Sequence, residues 1–173
     1  MNKLLIGASI LGGVLFSLIA PASAGAINVA QTRYGVFDGS SDALMLNGHP
    51  TQPRVTGNST LFVRKIGESG EADLLFVTSV GGRACPSLYS IVKVTVTGIE
   101  PTAFFGNCDE RAKVAMNENT VTVALPAYVG PLSMGPGIKS PAATFVYSID
   151  SETLTKNGSP INTACKSGVC AGI

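Results

Sequence analysis

The chain alternates between apolar and polar residues in several places, and this alternation predicts β-strands. The clearest run is Val92–Thr97, in which each valine is followed by a lysine or a threonine. Successive side chains of a strand point to opposite faces, so the valines would line one buried face of an antiparallel sheet. Val121–Leu125 repeats the pattern. After the N-terminal apolar run, no long stretch has the apolar spacing of a helix.

Turn residues between such runs predict hairpins. Asn117–Asn119 separates two short β-prone runs between Lys113 and Leu125, and asparagine favours turns. Leu61–Ile66 and Asp73–Ser79 form a second expected pair of strands, joined by a polar connection.

Two further runs complete the predicted sheet. Leu74–Val77 is apolar without alternation, which indicates a strand buried on both faces. Thr144–Ile149 is expected to turn at Asp150–Ser151 and to pair with Leu154–Lys156.

Two proline-rich stretches are predicted to be irregular. They are Gly39–Asn58 and Pro126–Pro141, where prolines cannot donate the hydrogen bonds of a sheet ladder. The number and spacing of the remaining runs predict an all-β fold. We expect a single antiparallel sandwich or barrel-like domain of about six to nine short strands, stapled by disulfides.

The N-terminus has the features of a cleaved secretory signal. Lys3 precedes the apolar run Leu4–Ile19, and Ala22–Ala24 fits the small-residue cleavage pattern. A membrane anchor is the alternative, but glycines interrupt this run and Pro21 ends it, whereas a span needs about 20 apolar residues. We therefore expect a signal at residues 1–24 and one mature domain at 25–173, with a loop-rich tail from about 160.

The charge balance argues against nucleic acid as a partner. The sequence has 12 Lys and Arg against 11 Asp and Glu, and loss of Lys3 with the signal makes the two counts equal. Without an excess of basic residues, general attraction to phosphate backbones is not expected. No second long apolar run follows the signal, so no membrane span is predicted in the mature chain.

The four cysteines are Cys85, Cys108, Cys165 and Cys170, and all lie after the signal. An even number in an exported chain favours disulfides over free thiols, and their spacing does not resemble a zinc site. Three connectivities exist; we expect nearest neighbours to pair, because each pair brackets a segment that can fold back locally. The first bridge should stabilise the core, and the second should close a loop in a tail that adds little to the sheet.

Candidate catalytic groups are few. His49 is the only histidine and lies between Gly48 and Pro50, and no nucleophile motif accompanies it. Asp38–Asp42 holds two carboxylates but lacks the other ligands of a calcium loop. We therefore expect a protein without enzymatic activity, metal or cofactor.

A glycine-rich motif near the first two cysteines is the most informative local feature. Gly81–Tyr89 contains Gly-Gly, Cys-Pro and an aromatic residue, and Phe104–Cys108 contains Phe-Gly-Asn-Cys. This combination resembles an uncharacterised family of exported bacterial β-rich proteins, over about Leu46 to Tyr128. The resemblance implies export, a β fold and a disulfide, and it implies no activity. Cys165 and Cys170 lie outside it.

The leading functional hypothesis is an exported binding protein, periplasmic or extracellular, whose partner is a protein or another envelope component. Loops on a rigid scaffold commonly carry recognition. The candidate surface is the Cys85–Cys108 region, with Arg83, Tyr89 and Asp109 as contacts. The alternative interpretation is that Arg83 and Asp109 are solvated and Tyr89 packs inside a strand.

Two other functions are consistent with the sequence. One is an inhibitor or immunity-type protein that inserts the Pro126–Pro141 loop into a hydrolase, because a braced scaffold lowers the entropic cost of ordering an inserted loop. The other is a hydrolase that uses His49 with an acid from another strand.

Overall fold

The computed structural model describes residues 28–130, 139–166 and 168–171, so the predicted signal at 1–24 lies outside the described residues. Within these ranges the protein has strands and no helix, so no helix there could span a membrane. The strands of these ranges are β1 (Val29–Thr32), β2 (Gly35–Asp38), β3 (Met45–Leu46), β4 (His49–Pro50), β5 (Arg54–Thr56), β6 (Thr60–Ser69), β7 (Ala72–Val80), β8 (Ser87–Thr95), β9 (Gly98–Pro101), β10 (Phe105–Cys108), β11 (Lys113–Met116), β12 (Thr120–Leu125), β13 (Tyr128–Val129), β14 (Lys139–Ser140), β15 (Ala143–Ser148), β16 (Thr153–Lys156), β17 (Ser159–Ile161) and β18 (Val169–Ala171).

The central sheet is built around β7. Its residues Leu74–Val77 are all buried, as predicted for a strand covered on both faces. β7 pairs antiparallel with β6 on one side and with β8 on the other. The free edge of β8 then pairs with β10 and with β9. This arrangement places the apolar run Leu74–Val77 in the middle of the central sheet.

Each face of β7 contributes to a different core. Leu74 and Phe76 belong to a cluster with Val121, Phe145 and Tyr147, which come from the antiparallel sheet β11-β12-β15-β16-β17. The two sheets therefore pack face to face, as in a β-sandwich.

The opposite face of β7 is covered by the N-terminal strands. Leu75 and Val77 cluster with Phe37, from the sheet β1-β2-β3-β4, and with Val55 of β5. The prediction of an all-β, antiparallel, disulfide-stapled fold is confirmed. The strands are more numerous than expected because pairings of two or three residues add to the long ones.

The predicted hairpins are present. β11 and β12 pair from Lys113↔Ala124 to Met116↔Val121, and the side-chain oxygen of Asn117 closes their turn by accepting bonds from the backbone of Asn119 and Thr120. β6 pairs with β7, and β15 with β16. In each case a local turn brings neighbouring segments together, which is why the sequence was sufficient to predict them.

The valine run Val92–Thr97 is shorter as a strand than its alternation predicted. Val92 and Val94 are buried, but β8 ends at Thr95 and Val96 is 77% exposed. Val96 and Thr97 form the turn, and β9 begins at Gly98, whose φ is 145°. The apolar–polar alternation of the sequence continues into the turn, but there Val96 is not covered by another sheet of the described residues.

The expectation that Gly39–Asn58 is irregular is wrong in part, because this stretch contains β3, β4 and β5. Pro50 ends the two-residue β4, and the next N–H, that of Thr51, donates to Leu44 O over 3.1 Å. Such short ladders do not need the N–H that proline lacks. In the second stretch β13 pairs with β14, and residues 131–138 lie outside the described residues.

Both nearest-neighbour disulfides are present, Cys85–Cys108 and Cys165–Cys170, with Cα atoms 4.6 and 4.7 Å apart. The expectation that the tail adds little is wrong. β18 pairs in parallel with β5, and Cys170 is only 1% exposed in the core that contains Val55. The spacing of the cysteines predicted the Cys165–Cys170 bridge, but it did not predict that Cys170 lies in a strand, β18, that pairs with β5.

Candidate functional site

The connection from β7 to β8 is a closed turn built on two glycines. Gly81 and Gly82 have φ values of 128° and 92°, and a Cβ at Gly81 would lie 2.7 Å from Cβ of Ser59. The Gly81 N–H donates to Pro86 O over 3.1 Å. This turn sets Cys85 beside the end of β10, where the disulfide ties it to Cys108.

Tyr89, a predicted contact, is a core residue. Its ring stacks on Phe76 with centroids 5.1 Å apart, and its hydroxyl donates to Asp109 O over 2.6 Å. Burial raises the pKa of Tyr89 to about 12, so the phenol is protonated and acts as a donor. The residue therefore supports the chain at Asp109 from inside, as the alternative interpretation held for Tyr89; the same interpretation is wrong for Asp109, which is buried rather than solvated.

Asp109 is buried and holds Arg111. Its Oδ1 accepts from the Arg111 backbone N–H and from Nε at 2.8 and 3.0 Å, and its Oδ2 accepts from Nη2 at 2.7 Å. The hydrogen bond from the Arg111 guanidinium holds the pKa of the Asp109 carboxyl below its usual range. The carboxylate is thus ionised at neutral pH and fixes a guanidinium whose side chain is 68% exposed. A bidentate pair of this kind restricts the arginine more than a single contact would.

Residues of the Pro126–Pro141 stretch lie near the Asp109–Arg111 pair and form a second wall beside the one that this pair provides. The Asn107 side-chain amide donates to Pro126 O at 2.7 Å and to Pro141 O at 2.9 Å, so it joins the two ends of the stretch. Next to Pro126, Tyr128 donates its hydroxyl to Ala84 O over 3.4 Å. The wall is therefore tied both to β10 and to the disulfide turn.

Between the two walls lies a cleft of about 390 Å³, which we call the Asp109 cleft. Its lining residues are Pro86, Asp109, Glu110, Arg111, Ala127, Tyr128 and Val129. Charged groups lie on one side, and on the other Val129 is 62% exposed.

No family model, curated protein or solved structure matches this chain. The resemblance carried by the Gly81–Cys108 motif stays a prediction.

The other predicted residues lie outside the Asp109 cleft. Arg83 is exposed on the disulfide turn and does not line it. His49 is exposed in β4, far along the chain from the cleft residues, and is not among them. In the part of the chain that the structure describes, no group of three His, Cys, Asp or Glu side chains could hold a metal ion.

The sequence predicted Asp109 but not three of the other residues that line the Asp109 cleft. Arg111, Tyr128 and Val129 were not singled out, and the guanidinium rather than the buried carboxylate is the exposed group. A usable signal was present for Arg111, because an aspartate followed two residues later by an arginine can form a local bidentate pair. Tyr128 and Val129 carried no such signal.

Proposed function

We propose that the mature protein is a non-enzymatic, exported binding protein of the bacterial cell envelope, and that the Asp109 cleft is its binding surface. The partner is a protein or another envelope component. The observation that supports this most directly is an exposed arginine, held by a buried carboxylate, beside an exposed valine and a tyrosine.

The rigidity of the cleft favours recognition. The disulfide, the Tyr89 hydroxyl and the Asn107 amide each anchor one side of the cleft. Side chains that are already ordered lose less conformational freedom on binding. Arginine and tyrosine are also enriched among the residues that dominate protein interfaces.

The test compares two valine substitutions on equivalent baits. Val129→Asp places a charge in the cleft, and Val96→Asp places the same charge at an exposed valine on the β8–β9 turn. Each protein is used to capture partners from an envelope extract. We expect wild type and V96D to recover the same partner and V129D to lose it.

Two results would contradict the proposal. One is the recovery of no partner by wild type under conditions in which control baits succeed. The other is equal recovery by V129D and wild type, which would move the binding surface elsewhere. Arg111→Ala provides a second variant, with an expected loss of at least about tenfold in affinity if the arginine is a dominant contact.

An inhibitor or immunity-type protein of a hydrolase is the second candidate. The observation that favours it is the Asn107 side chain, which holds both ends of the Pro126–Pro141 stretch. The protein would be assayed against peptidoglycan hydrolases and proteases, with Asn107→Ala as the variant of reduced potency. Unchanged enzyme activity at micromolar protein would reject this candidate.

A further inference from the structure

A second cleft lies on another part of the molecule, where the β8–β9 edge, the turn after β15 and the C-terminal tail meet. Its volume is about 320 Å³, and we call it the Tyr147 cleft. Its polar lining includes Glu100, Tyr147 and Glu152. Ile99, Pro101 and Cys165 contribute apolar surface beside these groups.

The two glutamates share one lysine. Lys93 Nζ lies 2.6 Å from Glu152 Oε1 and 3.3 Å from Glu100 Oε2. The lysine is largely covered, whereas the glutamate side chains are 42% and 50% exposed. The hydrogen bond from Lys93 lowers the pKa of Glu152. One ammonium and two carboxylates leave a net charge of about −1 at neutral pH.

Tyr147 supplies an unpartnered polar atom at the same place. The residue is only 1% exposed, and it lines the cleft. Among the described residues, none forms a hydrogen bond with its hydroxyl, unlike the hydroxyls of Tyr34, Tyr89 and Tyr128. Burial raises the pKa of Tyr147, and the charges of Glu152 and Glu100 raise it further. This hydroxyl is not among the fully buried unpaired atoms of the described residues, so it keeps access to the cleft and is available to a ligand there.

The acceptors of the cleft match one chemical group well. An alkylammonium has three N–H donors and no acceptor. The cleft offers two carboxylates and a phenol oxygen, together with apolar surface from Ile99 and Pro101 for an aliphatic stem. An anion would be repelled by the net charge. Calcium takes six to eight oxygen ligands, more than the two carboxylates and one phenol oxygen supply, whereas an ammonium needs three acceptors.

We propose that the Tyr147 cleft binds a primary alkylammonium group, either of a free amine or of a lysine side chain. The ammonium lies between Glu100, Glu152 and the Tyr147 hydroxyl, and the alkyl stem lies along Ile99 and Pro101. This site is independent of the Asp109 cleft, so either proposal can fail without the other.

The test titrates the purified protein with n-pentylammonium, followed by chemical shifts of backbone amides. Pentanol has the same stem without the charge and is the matched control ligand. We expect saturable shifts around Glu100 and Glu152 with the amine and none with pentanol. Calcium at equal concentration should not displace the amine.

Two variants locate the site. Tyr147→Phe removes only the unpaired hydroxyl, so the fold should persist while affinity falls about 5- to 10-fold. Glu152→Gln should weaken binding at least as much. Tyr34→Phe removes a hydroxyl that donates to Glu71 O, away from the cleft, and should leave the affinity unchanged.

The source of the ammonium is distinguished by comparing 1,5-diaminopentane with Nα-acetyl-lysine amide. Binding of the diamine alone supports a free amine as the ligand, and binding of both supports a lysine side chain as well. The proposal is overturned if neither amine gives saturable shifts at millimolar concentration. It is also overturned if Tyr147→Phe binds as wild type does or if calcium occupies the two glutamates instead.

Discussion

Arg33 and Asp73 are joined by two hydrogen bonds, although they lie 40 positions apart in the chain. The Arg33 backbone N–H donates to Asp73 Oδ2 over 2.7 Å, and Nε donates to Oδ1 over 2.6 Å. Lys65 Nζ also donates to Asp73 Oδ2 over 3.0 Å. The Asp73 carboxylate is fully buried, so this contact fastens the β1–β2 turn to the central strand.

Asp73→Asn should lower the free energy of unfolding by about 3 kcal/mol at neutral pH. The amide keeps the shape of the side chain and one acceptor but removes the buried counter-charge of Arg33 and Lys65, which are left with the half-exposed Glu68 alone. Urea unfolding measures the change. Asp150→Asn, at an exposed turn, is the matched control and should change stability by less than about 0.5 kcal/mol.

The same carboxylate should make the protein sensitive to acid. Burial alone would raise the pKa of Asp73, but hydrogen bonds from the Arg33 backbone and from Lys65 hold it below its ordinary value. A carboxyl with a lowered folded-state pKa stabilises the fold above its unfolded-state pKa, about 3.9, and this contribution is lost as pH falls through the folded-state value. Unfolding measured from pH 7 to pH 2 should show a shallower decline for Asp73→Asn. Parallel curves for the two proteins would contradict the assignment.

The two disulfides should both contribute to stability. For a sequence separation of 23 the chain-entropy estimate is about 3.4 kcal/mol, and for a separation of 5 it is about 2 kcal/mol. Cys85→Ser should therefore lower Tm more than Cys170→Ser. Because Cys170 is buried beside Val55, its substitution should still lower Tm clearly. Calorimetry measures both values, and an unchanged Tm for Cys170→Ser would show that β18 adds nothing to the fold.

Two buried tyrosines should respond oppositely to loss of the hydroxyl. Tyr89→Phe removes the bond to Asp109 O and should cost about 1 kcal/mol. Tyr147→Phe removes a hydroxyl without a described partner and should leave the stability equal or slightly higher. Equal destabilisation of the two variants in urea would mean that Tyr147 has a partner within the protein.

The valines of the β8 region should differ sharply in their effect on stability. Val94 is buried, and Val94→Ala should cost about 2 kcal/mol through lost burial and the cavity that remains. Val96 follows the strand and is 77% exposed, so Val96→Ala should change stability by less than about 0.5 kcal/mol. Denaturant unfolding distinguishes the two substitutions. A comparable loss for Val96→Ala would imply that a partner or a second copy covers this turn.

The sequence by itself determined the features that depend on neighbouring residues. Alternation marks β12, the continuous apolar run marks β7, and Asn117 marks the hairpin turn between β11 and β12. The nearest-neighbour disulfides follow the same logic, because each closes a local segment. Such features need only backbone geometry and short-range turns.

Tertiary structure alone decided the contacts between distant segments. The pairing of β18 with β5, the ion pair of Lys93 with Glu152 and the position of Tyr147 each join parts of the chain that share no local pattern. The same holds for Val96, whose exposure depends on where the covering layer ends rather than on its place in the alternation. A residue's spacing predicts the face it occupies, but its burial and its partners depend on which sheet packs against that face.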